Sequence, residues 1–202
     1  MNLEQKSPAG EVTPRWIQAV SVIGSFVAAL WVIELVDMLL SNRLDREGIE
    51  PREADGLLGI LFAPLLHAGW GHLAANTLPL LVLGFLILLS GIGTWVAVTL
   101  IVWGVGGFGT WLTGGENTIH LGASGLIFGW LVYLLVRGLF TGRPGQIALG
   151  VVVLLVYGSV LWGVFPGQEG ISWQGHLFGA VGGAIAAWLL AERGNKDPQR
   201  TR

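Results

Sequence analysis

The sequence predicts an all-α, polytopic membrane fold with six spans, and three observations carry that expectation. Of its 202 residues 52% are hydrophobic and only 12% charged, more apolar surface than a water-soluble domain of this length can hide. The apolar residues fall into long runs separated by short polar loops. Glycine is frequent, at 32 residues, and in lipid small residues let helix backbones approach closely. The net charge of −2 offers no electrostatic footprint for nucleic acid. With no cysteine, the chain has neither disulfides nor thiolate metal ligands.

Taken in order, residues 1–14 are polar, carry Lys6 and two prolines, and read as a disordered tail without the Arg-rich pattern of a transit peptide. The run 16–40 is too long for a signal-peptide core and can span. Glu34 and Asp37 share a face near its end. Intramembrane acids are costly, but so close to a polar loop these two read as structural, either solvated or paired inside. Residues 41–55 form a mixed-charge loop. The apolar stretch 56–66 is too short to cross and is interrupted by Pro64, as an interfacial or re-entrant piece would be. A second span follows His67 and His72, contains Asn76 and runs to residue 89. A turn at Ser90-Gly91-Ile92-Gly93 leads to a third span over 95–112, and residues 113–120 form a polar loop that includes His120. The fourth helix begins at Ser124 and is expected to end at Arg137. A turn over 141–145 precedes a fifth span at 146–165, and the loop 166–174 leads to His176 and a sixth span ending near residue 190. Residues 15–191 thus read as one six-helix domain and 192–202 as a basic tail.

Six spans put both termini on one side. If that side is cytoplasmic it collects Lys6, Arg15, Arg137, Arg143, Arg193, Lys196, Arg200 and Arg202, against Arg43, Arg46 and Arg52 on the other. The excess favours cytoplasmic termini. The second, fourth and sixth helices then all start from the extracytoplasmic side, bringing His67, His72, Asn76, Ser124 and His176 into one leaflet. A fourth helix over 124–136 is only about 20 Å long, short of the ~30 Å hydrocarbon core. Ser124 is therefore expected well below the outer surface, facing a hydrated pocket.

A serine hydroxyl is a poor nucleophile until an imidazole takes its proton, and His176 is the natural base. His176, Gly179 and Gly183 share a helix face, a small-residue row against which the start of the fourth helix can pack. The N-terminus of that fourth helix points free N–H groups toward the serine, as an oxyanion requires. His72 and Asn76, at i and i+4, project together and can complete the hole, whereas His67 is expected to hold the loop before them. Close packing alone also explains small residues around one serine, but not five polar residues converging on one level. The metalloprotease pattern His-Glu-x-x-His is absent, and His67 and His72 lie off a common helical face, so no metal site is expected. Glu34 and Asp37 lie too near a helix end for an aspartyl pair sharing one proton. No acid stands out to orient His176, which leaves a Ser–His dyad.

The His67-x4-His72-x3-Asn76 pattern, the cluster Gly122-Ala123-Ser124-Gly125 and the row His176-Leu-Phe-Gly179-x3-Gly183, in this order, resemble the rhomboid family of intramembrane serine proteases. The resemblance covers nearly all of residues 16–190. It implies a six-helix core with a membrane-embedded first loop at 56–71, catalytic Ser124 and His176, and an oxyanion and substrate-binding site from His72, Asn76 and the Gly122-Ala123-Ser124 backbone. It further implies no cofactor, and substrates that are single-span membrane proteins cut at small residues in or near the span. Many relatives carry tyrosine four residues after the serine, stacked on the histidine; here Phe128 keeps the ring and loses the hydroxyl. The first loop also lacks the Trp-Arg pair that some relatives carry. A bacterial cell membrane is the expected location, with the site opening to the extracytoplasmic side. A catalytically silent rhomboid-like protein that binds membrane segments, or a small transporter, remains the alternative. Substrate identity and oligomeric state are not legible in the sequence.

Overall fold

In lipid, every backbone N–H and C=O must be satisfied internally, and an open chain achieves this only as helices. The computed structural model, which describes residues 13–168 and 170–195, is all-helical among those residues, with no strand. Its helices are α1 (Arg15–Leu39), α2 (Gly56–Phe62), α3 (Trp70–Leu88), α4 (Ile92–Thr113), α5 (Ser124–Thr141), α6 (Pro144–Tyr157) and α7 (Trp173–Asn195). Six are long and apolar enough to cross a membrane, α6 together with the 3-10 segment Gly158–Val164 that prolongs it. Most of the two expected tails, residues 1–12 and 196–202, lies outside the described residues.

The core forms around α5, whose Trp130, Leu131 and Leu134 are fully buried against α3, α4 and α7. The glycine row read from the sequence explains how closely α7 lies on α5. A Cβ on Gly179 would fall on the Gly125 carbonyl, and one on Gly183 on the Gly129 carbonyl, so two backbones meet where side chains would hold them apart. By contrast α6 and the following 3-10 segment expose much of their apolar surface, including Leu155, Val156 and Trp162.

The first loop lies against α4. The Trp103 indole donates to the Ile60 carbonyl (2.6 Å), the Arg52 guanidinium to the Gly114 carbonyl (2.8 Å), and the Trp111 indole to the Glu53 carbonyl (2.9 Å). Gly59 abuts the Gly48 carbonyl without room for a Cβ, which lets α2 fold back on its own loop. At the far end of this loop, the Ala63 carbonyl accepts the Gly122 N–H (2.8 Å). The first loop thus reaches the backbone two residues before Ser124.

Four local expectations change. The turn before α4 is shorter than expected, because Gly91 (φ 113°) reverses the chain and the helix restarts at Ile92. The fifth span is α-helical only to Tyr157. Helix α7 runs to Asn195, into the stretch expected as tail. Most consequentially, α5 does not end at Arg137 but continues to Thr141, where Gly142 (φ 65°) caps it ahead of Pro144. Arg137 is buried rather than placed at a surface, donating to the Ser90 hydroxyl (3.0 Å) and lying over the Tyr133 ring. With 18 residues α5 is about 27 Å long, so the depth of Ser124 no longer follows from a short helix. Glu34 and Asp37 are buried, not solvated. Asp37 takes the interior structural role, its carboxylate accepting the Leu44 N–H (2.7 Å) where the chain leaves α1.

Candidate active site

Ser124 is the first residue of α5, and Gly122 makes its exposure possible. At φ 118° Gly122 adopts a conformation that side-chain-bearing residues rarely take, and a Cβ there would come within 2.6 Å of the His72 ring. The chain therefore turns tightly into the helix with the His72 imidazole lying on its backbone. The N–H groups of the first helical turn have no intrahelical acceptor, and the positive end of the helix dipole adds to their pull on negative charge.

His176 stands one turn into α7. Its Nε2 is 2.8 Å from the Ser124 Oγ, and its Nδ1 is 2.9 Å from the Gly163 carbonyl. A carbonyl only accepts, so Nδ1 carries the proton and Nε2 of the neutral ring is free to accept from the serine hydroxyl. The Phe128 ring stacks on the imidazole at 4.0 Å and 9°. One turn of α5 thus supplies both the hydroxyl and the flat surface that holds the histidine's plane. Gly163 is closed in on the same side, since a Cβ there would stand 2.8 Å from Phe128 and 3.0 Å from His176 Nδ1.

Asn76 is buried on α3, and its amide Nδ2 has no hydrogen-bond partner among the described residues. A buried, unpaired donor carries a desolvation cost of about 1–3 kcal/mol. His67 is fully buried and does more than hold its own loop. Its Nε2 accepts the Ala123 N–H (3.4 Å), while its Nδ1 faces the Leu65 carbonyl without reaching hydrogen-bond geometry. It meets the His72 ring edge-on at 5.1 Å. Burial, with the neighbouring His72 adding to it, pushes the His67 imidazole down to about 4. The folded protein thus favours neutral His67 while the unfolded chain protonates it near 6.5. The associated stability is complete above about pH 6.5 and lost as pH falls toward 4, by about 3 kcal/mol in all. Thermal midpoints measured from pH 8 to 4 should fall more steeply for the wild type than for His67→Gln.

A cleft opens beside the serine, bounded by Gly122, Gly125, Val102, Trp103, His120 and Ser172 among others. No group of three or more histidine, aspartate or glutamate side chains among the described residues is arranged to hold a metal.

Ser124, His176, Phe128, His72, Gly122 and Ala123 therefore gather at one end of α3, α5 and α7, with Gly179 and Gly183 as the hinge of close approach between α5 and α7. His67 reaches the same place from the first loop. Sequence reasoning missed the Gly163 and Ala63 carbonyls. A backbone carbonyl leaves no signature in residue type, and only the small size of Gly163, in a segment read as plain span, could have drawn attention to it.

A sequence profile described as the Rhomboid domain matches residues 54–193. An uncharacterized protein of Mycobacterium tuberculosis is 53% identical over 92% of this chain and 82% of its own length. One from Mycobacterium leprae is 51% identical over 88% of this chain and 73% of its own length. A Bacillus subtilis protein named "Putative rhomboid protease YdcA" is 28% identical, covering 64% of this chain and 65% of that protein.

Proposed function

The chain belongs to the rhomboid family, and on that footing we propose that it is an intramembrane serine endopeptidase cutting the transmembrane segments of single-span proteins through a Ser124–His176 dyad. The observation that carries this reading is the 2.8 Å approach of Ser124 Oγ to a His176 Nε2 whose tautomer is fixed from behind by the Gly163 carbonyl. Fixing the tautomer is the task a third triad member performs in soluble serine hydrolases, and here a main-chain oxygen takes it.

In this mechanism Ser124 Oγ attacks the scissile carbonyl as its proton passes to His176 Nε2. The resulting imidazolium keeps its Nδ1–H on Gly163 and its face on Phe128. The tetrahedral oxyanion is held by the Ser124 N–H, the unpaired Asn76 amide and the His72 ring beside Gly122. Collapse sends the proton to the departing amine and leaves an ester on Ser124. A water molecule entering through the cleft, deprotonated by His176, hydrolyses it. No cofactor takes part. The proposal includes cytoplasmic termini and a site opening on the opposite side of the membrane, a placement supported by the excess of basic residues on the side of the termini.

Asn76→Ala removes a donor without touching the dyad. It should lower kcat by about 10²–10³-fold and leave the protein folded, since it deletes an unsatisfied buried group. Steady-state cleavage of a single-span reporter in proteoliposomes checks this. The reading as a whole is tested by co-expressing a panel of single-span membrane proteins: fragments should appear with the wild type and not with Ser124→Ala. Fragments that persist in the variant would assign the cleavage to another protease.

A further inference from the structure

His120 takes no part in the chemistry above, yet both nitrogens of its half-buried ring are bonded to side chains. Nε2 lies 2.9 Å from Thr118 Oγ1 and Nδ1 lies 2.7 Å from Ser172 Oγ. The direction of each bond follows from the donors available. Thr118 gives its one hydroxyl proton to the Gly115 carbonyl (2.6 Å), so its oxygen accepts from Nε2–H. Nδ1 of the neutral ring is then an acceptor, and Ser172 donates to it. With its proton so directed, Ser172 Oγ turns a lone pair to the Gly175 N–H (3.3 Å), while the Ser172 carbonyl accepts the His176 N–H (3.1 Å). Ser172 therefore caps the N-terminus of α7 from the position immediately before it.

The spacing gives this chain of bonds its meaning. His120 stands four residues before Ser124, and Ser172 four residues before His176. His120 is itself pinned, exchanging backbone hydrogen bonds with Ile49 of the first loop (2.8 and 2.9 Å). Gly114 leaves room for the ring, since a Cβ there would come within 2.8 Å of Nε2. The two segments that deliver hydroxyl and imidazole are thus joined by a second bond, independent of the one between Ser124 and His176.

We propose that His120 is a positioning residue: through Ser172 it holds the first turn of α7, and so His176, in register with the loop that carries Ser124. The proposal rests on Ser124 and His176 being the reacting pair. It is distinct from the glycine packing of α5 on α7, because the bond acts on the helix start rather than on its side.

The test uses the full-length protein in micelles, comparing wild type, His120→Leu, His120→Asn, Ser172→Ala and the His120→Leu/Ser172→Ala double variant. Amide hydrogen exchange over residues 173–178 and the rate of inactivation by saturating fluorophosphonate are read on each. Loss of a cap bond should raise exchange in that turn about fivefold to tenfold in His120→Leu and Ser172→Ala. The maximal inactivation rate should fall by a similar factor, with half-saturating probe concentration unchanged. In His120→Asn the amide oxygen takes the place of Nδ1 as acceptor, so both readouts should stay within about twofold of wild type. The double variant should be no worse than Ser172→Ala. Unchanged exchange in His120→Leu, a His120→Asn as defective as His120→Leu, or additive effects in the double variant would overturn the proposal. The exchange measurement needs no activity, so it decides the tether by itself, whereas a wild type that takes up no probe overturns the catalytic reading alone.

Discussion

His176→Ala should reduce cleavage of a single-span substrate by about six orders of magnitude, and Ser124→Ala by the same amount. The double variant should be no slower than either single one, because the hydroxyl is an effective nucleophile only while Nε2 stands 2.8 Å away to take its proton. The Phe128 ring and the Gly163 carbonyl hold the imidazole but have nothing to hold once it is gone. Single-turnover assays in proteoliposomes, with each variant's thermal midpoint measured alongside, separate this loss from unfolding. A His176→Ala protein that folds and cleaves at more than a small fraction of the wild-type rate would show that another group activates the serine.

Gly179→Val should have the largest effect on the fold. The backbone of α7 rests on the Gly125 carbonyl at this position, and even a Cβ has no space there. Neither main chain can swing aside as a flexible side chain would, so α7 must move bodily away from α5. Overpacking of this kind costs about 1–3 kcal/mol or more, and it acts next to the residue that follows Ser124. We expect a markedly lower thermal midpoint in detergent and loss of cleavage together. A valine variant with wild-type stability and activity would mean that the two helices are not clamped by this glycine.

How much of this was legible in the residues themselves depends on what carries each feature. Span positions were readable because lipid permits almost no alternative to a long apolar helix. The glycine face of α7 was readable because a helical period puts His176, Gly179 and Gly183 in line. Boundaries were less so. The expected helix end at Arg137 fails because the Ser90 hydroxyl and the Tyr133 ring accommodate the cation inside the bundle. Asp37 likewise found the Leu44 N–H. Such tertiary partners have no local signature. The meeting of His72, Ser124 and His176 at one end of the bundle followed from counting spans, whereas the pieces supplied by main chain, the Gly163 and Ala63 carbonyls, could not be inferred from side-chain identity. His120 read as ordinary loop polarity because its partner Ser172 lies 52 residues away in the chain.

Catalysis as proposed requires Ser124 to be activated by His176 within a folded rhomboid bundle. The most direct measurement is covalent labelling of the purified protein with a fluorophosphonate, with the modified residue located by mass spectrometry. One adduct, on Ser124, that disappears in both Ser124→Ala and His176→Ala is the predicted result. Equal labelling of the wild type and Ser124→Ala, or an adduct mapped to any other serine, would contradict it.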